Sequence, residues 1–343
     1  MIKLKYPFTV AFSHGIGGSF MKCIVPLARG GGYDKSANNV PYLISVAGKP
    51  LLGHLVDQLS ELKPEEVVFI LGDEDRGLID YITSHYDFQS RFIMQKRSRG
   101  SAHAILGAKE YVRGEVAILF GDTFFKADLS GLSETDADGI IWTSKVKDPS
   151  LLGVVFQDGE YASKLIEKPD SLISNLAMIG MYYFKDASKL FSAIEYLLEH
   201  KIMTKGSFTL TDAVQLMIDD KKKVAVRIAD EWIDADHGDG LFMLNRRLLE
   251  ARGRSLGKTY GSVIIKPVHI DKGAIIRNSI IGPNVSIGVG TEVEGCIIKE
   301  SVVCTGARLT DAALAKSVIA TGAKVQGKLR GVSLDANASF LFH

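Results

Sequence analysis

IGPNVSIGVGTEV, residues 281–293, places an aliphatic at Ile281, Ile287 and Val293 and fills the intervals with glycine and small polar residues. The same beat runs outward in both directions. Upstream it passes through Ile276, Ile270 and Ile264; downstream it passes through Ile298, Val303, Leu309, Leu314, Ile319 and Val325, always five or six residues apart. A short period held this long is a solenoid signature, in which each side of a coil contributes one inward aliphatic. Three sides per turn gives roughly four coils of a parallel β-helix, expected over residues 262–335. Coincidental alternation in an ordinary sandwich is the weaker alternative.

Upstream of Gly261 the rhythm is different. Between Met21 and about Ala251, short apolar runs alternate with amphipathic stretches. The strand candidates are 21–28, EVVFILG (66–72), RFIMQ (91–95), EVAILFG (115–121) and GIIWTSK (139–145); the helix candidates are 50–61, AHAILGAKEYV (102–112), 187–200 and TDAVQLMIDD (211–220). Such alternation indicates an α/β layer with a mainly parallel sheet. Sheets of that class bind ligands beyond the carboxyl ends of their strands. A glycine loop, LARGGG (27–32), follows one strand end and Gly121-Asp122 follows another, so both are expected to face one crevice.

With 343 residues the chain is long enough for two domains, each with its own core. The expected division is an N-terminal extension over 1–20, a first domain over 21–255 and the β-helix over 262–335. The formal net charge is +1 and the one basic run, Lys221 to Lys223, reads as a solvated turn, so no nucleic-acid partner is expected. Cys23, Cys296 and Cys304 show no CxxC or Cys/His spacing, which supports neither a disulfide framework nor a zinc site. No apolar run approaches the ~20 residues of a membrane span. Residues 1–20 carry lysines but a short, broken apolar core, unlike a signal peptide. Met21 is therefore read as the start of the first real strand, and a cytoplasmic location is expected.

Asp122, in LFGDTFF, closes an apolar strand and points at the expected crevice. A carboxylate there suits a hard cation such as Mg²⁺, which takes oxygen ligands, although a helix N-cap is an equally common use. Asp234 ends a second predicted strand, VAVRIADEWID, and two distant carboxylates converging on one metal are more persuasive than either alone. In IEKPD (166–170), Glu167 and Lys168 would alternate faces if they lie on a strand, one meeting a sugar hydroxyl and the other a phosphate. Read in isolation, the same tripeptide is more often a surface turn.

The combination resembles the sugar-1-phosphate nucleotidylyltransferases. MKCIVPLA with its glycine loop, VAGKPLLGHL (46–55), Gln95-x4-Gly100-x-Ala102-His103-Ala104, Gly121-Asp122, LGVV (152–155), EKP (167–169), SNLAMIGMYYF (174–184), KGSFTLTDA (205–213) and WID (232–234) fall in that family's order and spacing. The form that ends in a left-handed hexapeptide-repeat β-helix, the long glucose-1-phosphate thymidylyltransferases, is most similar. The resemblance implies a Rossmann-like nucleotidyltransferase domain with a mainly parallel mixed sheet, followed by a left-handed parallel β-helix. It also implies transfer of a nucleotidyl group from dTTP or UTP to a hexose 1-phosphate, glucose 1-phosphate in the first instance, with release of pyrophosphate. Asp122 and Asp234 would bind Mg²⁺ and Lys168 would hold the sugar phosphate. Leu27, Ala28, Gly30, Gly31, Gln95 and Gly100 would meet the nucleotide, and Gly153, Glu167, Asn175 and Met178 would line the sugar pocket. His103 reads as packing or capping rather than as a base, and the β-helix is expected to support a homo-oligomer.

The loop departs from the family. Where similar proteins read G-x-G-T-R, a gap-free match sets Arg29 at the first glycine, Gly31 at the second and Tyr33 at the arginine. No lysine follows Pro41, where the family has P-K. Losing one charge-assisted contact to a developing charge costs ~3–4 kcal/mol. Three readings stand: a local change of reading frame near the start, an enzyme using other cations, or a silent paralogue that binds nucleotide-sugar and regulates a partner. An acyltransferase working through the β-helix would want a histidine base, and that region holds His269 alone, at its start.

Overall fold

The structure, a computed structural model, describes residues 21–27, 41–72, 76–97, 99–235 and 239–327. The expected extension 1–20, the loop residues Ala28, Arg29, Gly30, Gly31, Tyr33 and Lys35, and the end of the predicted β-helix after 327 lie outside the described residues. Two compact units emerge. The first takes 1–43 and 51–237, and the second takes 44–50 and 238–343.

The elements begin with β1 (Lys22–Pro26), a hairpin of β2 (Ser45–Val46) and β3 (Lys49–Pro50), α1 (Leu51–Ser60), β4 (Glu66–Gly72), α2 (Arg76–His85), β5 (Ser90–Gln95) and α3 (Ser101–Leu106). They continue with β6 (Val116–Leu119), β7 (Thr123–Lys126), β8 (Gly139–Lys145), β9 (Gly153–Asp158), β10 (Tyr161–Glu167), β11 (Leu176–Phe184), α4 (Ala187–Glu199) and α5 (Leu210–Asp219). Then come β12 (Val224–Ile228), β13 (Glu231–Asp234), α6 (Gly240–Arg252) and the short strands β14 to β26, between Lys258 and Gln326.

Nine strands form the sheet of the first unit, in the order β5-β4-β1-β6-β11-β8-β12-β10-β9. The run β5-β4-β1-β6 and the pair β8–β12 are parallel; the remaining neighbours are antiparallel, so the sheet is mixed. Strands such as KCIVP and EVVFILG read as unbroken apolar runs because both faces are covered. Alternate residues go to opposite layers. Ile24, Val68 and Ile118 pack toward α3, α4 and α5, while Cys23, Val25, Phe69 and Leu119 pack toward α1 and α2. The helix expected over 102–112 is regular only to Leu106; from Gly107 to Tyr111 it tightens into i→i+3 turns.

In the second unit the predicted period becomes three ladders. Ile264, Ile281, Ile298 and Leu314 stack on one side, Ile270, Ile287, Val303 and Ile319 on the next, and Ile276, Val293, Leu309 and Val325 on the third. These residues are the interior of a left-handed parallel β-helix, and corner residues including Asn278, Glu300 and Asp311 take left-handed φ. The division differs from the expected break at 255. Helix α6 buries Leu244, Asn245, Leu248 and Leu249, and Asn245 Nδ2 donates to the Asn284 carbonyl, so α6 groups with the β-helix, as does the β2–β3 hairpin. No helix among the described residues is long and apolar enough to cross a membrane.

Candidate active site

A cleft of about 210 Å³ opens in the first unit. Asp122, Asp234, Gly153, Glu167, Lys168 and Met178 all line it. These residues come from separate strands and turns of the chain, and each arrives for a local reason.

Asp122 lies in the turn between β6 and β7, beyond the carboxyl end of a central strand. Gly121 ahead of it has no room for a side chain: a Cβ would stand 2.2 Å from Leu27 Cδ2 and 2.7 Å from Tyr42 Cε1. Asp234 reaches the same place by a route the sequence did not show. The single strand expected over VAVRIADEWID is two strands. Ala229 N–H donates to Thr143 at 2.9 Å, still on the main sheet, whereas Asp230 N–H donates to Lys126 at 2.8 Å. From there β13 pairs antiparallel with β7, setting Asp234 opposite Thr123, and Ala235 N–H closes the ladder onto the Asp122 carbonyl at 2.9 Å. A two-stranded ribbon thus brings the two carboxylates to one end, and both line one cleft.

Glu167 is the last residue of β10, and Lys168 does not continue the strand. Its φ of 45° is left-handed, so the expected alternation of faces gives way to a turn, and both side chains line the cleft. The Lys168 N–H donates to the Leu152 carbonyl at 3.0 Å, and Lys205 Nζ donates to the Lys168 carbonyl at 2.6 Å. Burial raises the Glu167 carboxyl above the usual carboxylate range, opposed by the Thr211 hydroxyl, which donates to its Oε2, and by the Lys168 charge. Gly153 faces this pair closely. A Cβ there would lie 2.2 Å from Met178 Cε and 3.0 Å from Glu167 Oε2.

Other expected residues stand elsewhere. Leu27 is buried beneath Gly121. Gln95 ends β5 and lines a separate recess, where its Nε2 lies 2.7 Å from His103 Nδ1. Burial and Arg99 lower the His103 pKa, which fits a neutral packing partner rather than a charged one. Gly100, at φ 113°, would place a Cβ 2.2 Å from the Phe208 carbonyl; backbone approach accounts for the glycine. Asn175 is exposed, and its carbonyl accepts from Val146 N–H. Sequence reasoning did not single out Thr211, Tyr182 or Trp232, which also line the cleft, although all three stand inside quoted motifs. The Trp232 indole nitrogen is buried with no hydrogen-bond partner among the described residues.

The lining carries three carboxylates and one ammonium, an acidic balance that repels phosphate unless a cation intervenes. Among the described residues no three His, Cys, Asp or Glu side chains gather closely enough to form a metal cage. Two carboxylates lining one cleft fit Mg²⁺, which is commonly held by one or two carboxylates together with substrate phosphates.

The Nucleotidyl transferase family pattern matches residues 35–251. The bifunctional protein GlmU of Methanocaldococcus jannaschii is 32% identical over 68% of this chain, which spans 55% of that protein's length. The low-salt glycan biosynthesis nucleotidyltransferase Agl11 of Haloferax volcanii is 30% identical over 80% of this chain and 86% of its own. A UDP-glucose pyrophosphorylase crystallised with UDP-glucose shares the fold at a TM-score of 0.57, with 19% identity over 68% of this chain and 100% of that one. Family pattern, relatives and fold converge: the chain belongs to the sugar-1-phosphate nucleotidyltransferases.

Proposed function

We propose that the protein transfers a nucleotidyl group from dTTP or UTP to a hexose 1-phosphate, glucose 1-phosphate first among them, giving a nucleotide-sugar and pyrophosphate in the cytoplasm. The observation that carries this reading is the meeting of Asp122 and Asp234 in one cleft with Lys168 and Glu167. In such a transfer the sugar phosphate attacks the α-phosphorus in line, and no covalent enzyme intermediate is required. The protein's task is positioning and charge neutralisation. Glu167, held by Thr211, offers a hydrogen-bond acceptor to a sugar hydroxyl, and Gly153 leaves room for the ring. Lys168 offers its ammonium to the sugar phosphate. Mg²⁺ held by Asp122 and Asp234 would neutralise phosphate charge. The proposal extends to a homo-oligomer through the β-helix, which light scattering of the full chain tests.

Pyrophosphate release from dTTP or UTP with glucose 1-phosphate and Mg²⁺ is the direct assay. Asp122→Asn is expected to lower it by about 100- to 1000-fold, the loss typical when one contact to developing charge is removed. Equal release from both proteins overturns the assignment. Tyr33 at the family's arginine and the absent lysine after Pro41 favour a second reading, a silent paralogue that binds nucleotide-sugar. Calorimetry showing nucleotide-sugar binding without turnover, even with G-x-G-T-R restored, selects it.

A further inference from the structure

Strand β10 ends at the cleft, and its last residue is Glu167. One edge of the strand is held along its length by β9, from Tyr161 opposite Asp158 to Glu167 opposite Gly153. The other edge meets β12 at its start alone, where Tyr161 stands opposite Ala225. Past that point α5 packs beside the strand, and Leu165, Val214 and Met217 share one core. A helix cannot extend a β ladder with its own backbone, because its N–H and C=O groups are spent on intrahelical bonds. A buried backbone donor on this edge of β10 therefore needs a side chain.

Gln215 supplies one. The N–H of Leu165, a buried residue, donates to Gln215 Oε1 at 2.6 Å. At its other end the amide is fixed by Asp219, whose Oδ1 accepts from Gln215 Nε2 at 2.8 Å. A carboxylate only accepts and a backbone N–H only donates, so these two neighbours admit a single orientation of the amide. One turn earlier, the Thr211 hydroxyl donates to Glu167 Oε2. Thr211, Gln215 and Asp219 recur at every fourth residue and so share one face of α5. That face grips the end of β10 twice, by its backbone at Leu165 and by its side chain at Glu167. Leu165 lies just upstream of Glu167 and Lys168, both of which line the cleft.

We infer that Gln215, with its amide oriented by Asp219, is a positioning residue for Glu167 and Lys168, acting through the backbone of Leu165. It stands in for the strand that this edge of β10 lacks. The consequence for the sugar phosphate rests on the nucleotidyl-transfer reading; the tie between α5 and β10 does not.

Hydrogen–deuterium exchange on the full chain reads the tie directly. Gln215→Met keeps the length of the side chain and removes the amide. Peptides covering 161–168 are expected to exchange faster in this variant, with those covering 176–184 unchanged; unchanged exchange at 161–168 overturns the inference. Steady-state pyrophosphate release reads the consequence. The KM for hexose 1-phosphate is expected to rise about tenfold and that for the nucleoside triphosphate to stay, since one buried donor has lost its partner on the sugar side alone. An unchanged KM in a variant whose strand end has opened, or an equal rise for both substrates, also overturns it. Gln215→Glu combined with Asp219→Lys keeps an acceptor on Leu165 and restores the second tie as an i,i+4 ion pair. That double variant is expected to recover the wild-type KM. Asp219→Ala separates positioning from stability. Asp219 closes α5, where the helix dipole disfavours negative charge, so its loss should leave the melting temperature unchanged or raise it. The KM for the sugar phosphate should still rise, in the same direction as for Gln215→Met, and a KM that stays put overturns the inference. Because the Asp219 side chain is exposed, this variant carries the comparison if Gln215→Met does not fold. If the wild-type protein releases no pyrophosphate, the functional reading fails while the exchange comparison still decides the tie.

Discussion

In the β-helix each inward residue meets its counterpart one coil away, Ile264 on Ile281 on Ile298, whereas the cleft brings Asp122, Gly153, Glu167 and Asp234 together from separate strands and turns with no common spacing. The β-helix is therefore written locally: a residue's environment follows from its position in the repeat. The cleft is assembled from turns and strand ends, and depends on where a chain switches partners, as at Ala229–Asp230. Stability in the first region should be additive and insensitive to ligands. Function in the second should hinge on single contacts.

The largest effect that tests this contrast is expected from Ile298→Ala. Ile298 is fully buried between Ile281 and Leu314, and truncating such a side chain removes transfer energy and leaves a cavity, costing ~2–5 kcal/mol. Because repeats contact only their neighbours, the loss should appear in the unfolding of the β-helix. Denaturation followed by circular dichroism, with Trp142 in the other unit as a fluorescent reporter, is expected to show one transition moved and the other held. Equal movement of both would erase the distinction between the regions.

Gly153→Ala sharpens the comparison from the other side. The added methyl would press on Met178 Cε and approach Glu167 Oε2. Methionine can yield, and Met178 lines the cleft proposed for the sugar. The expected result is a KM for the sugar phosphate raised about tenfold, equivalent to ~1.4 kcal/mol, with little change in melting temperature. Steady-state kinetics check it, and an unchanged KM would remove Gly153 from the pocket.

What is legible in the sequence follows the same division. Aliphatics at a spacing of five or six residues are enough to identify the β-helix, because inward residues in a solenoid must repeat. The apolar runs of β4 and β8 are legible with their boundaries, being buried on both faces. Asp122 and Asp234 stand out as strand ends, but the switch of β13 onto β7 is hidden, since one apolar stretch can serve two sheets without any change of pattern. The tripeptide at 167–169 offers a turn as one of its readings, but the left-handed φ of Lys168 and its place in the cleft are hidden, because the restraint is the backbone bond to Leu152. Thr211 stands in a quoted motif without a role, because a hydroxyl gains one only when a buried carboxylate is beside it. The placement of α6 with the β-helix rests on Asn245, a polar residue whose partners are distant in sequence.

The smallest effect concerns Glu167 and pH. Burial raises its pKa in the folded chain above the ordinary 4.5, with Thr211 and Lys168 offsetting part of the rise. Between those two values the native state holds a proton that the unfolded chain has released. The stability tied to that proton is complete below the unfolded pKa and is lost as pH climbs through the folded one. Glutamine imitates the protonated form and does not titrate. Relative to Glu167→Gln, the wild-type protein should therefore fall behind as pH rises from about 4 to about 8, by an amount within the ~0.5–2 kcal/mol that stabilising substitutions commonly give. Urea denaturation at the two pH values measures it. The penalty of Ile298→Ala, which involves no titrating group, should be the same at both. If the glutamine variant instead loses ground toward high pH, the folded cleft favours the carboxylate, and Glu167 is held by its neighbours more strongly than burial opposes it.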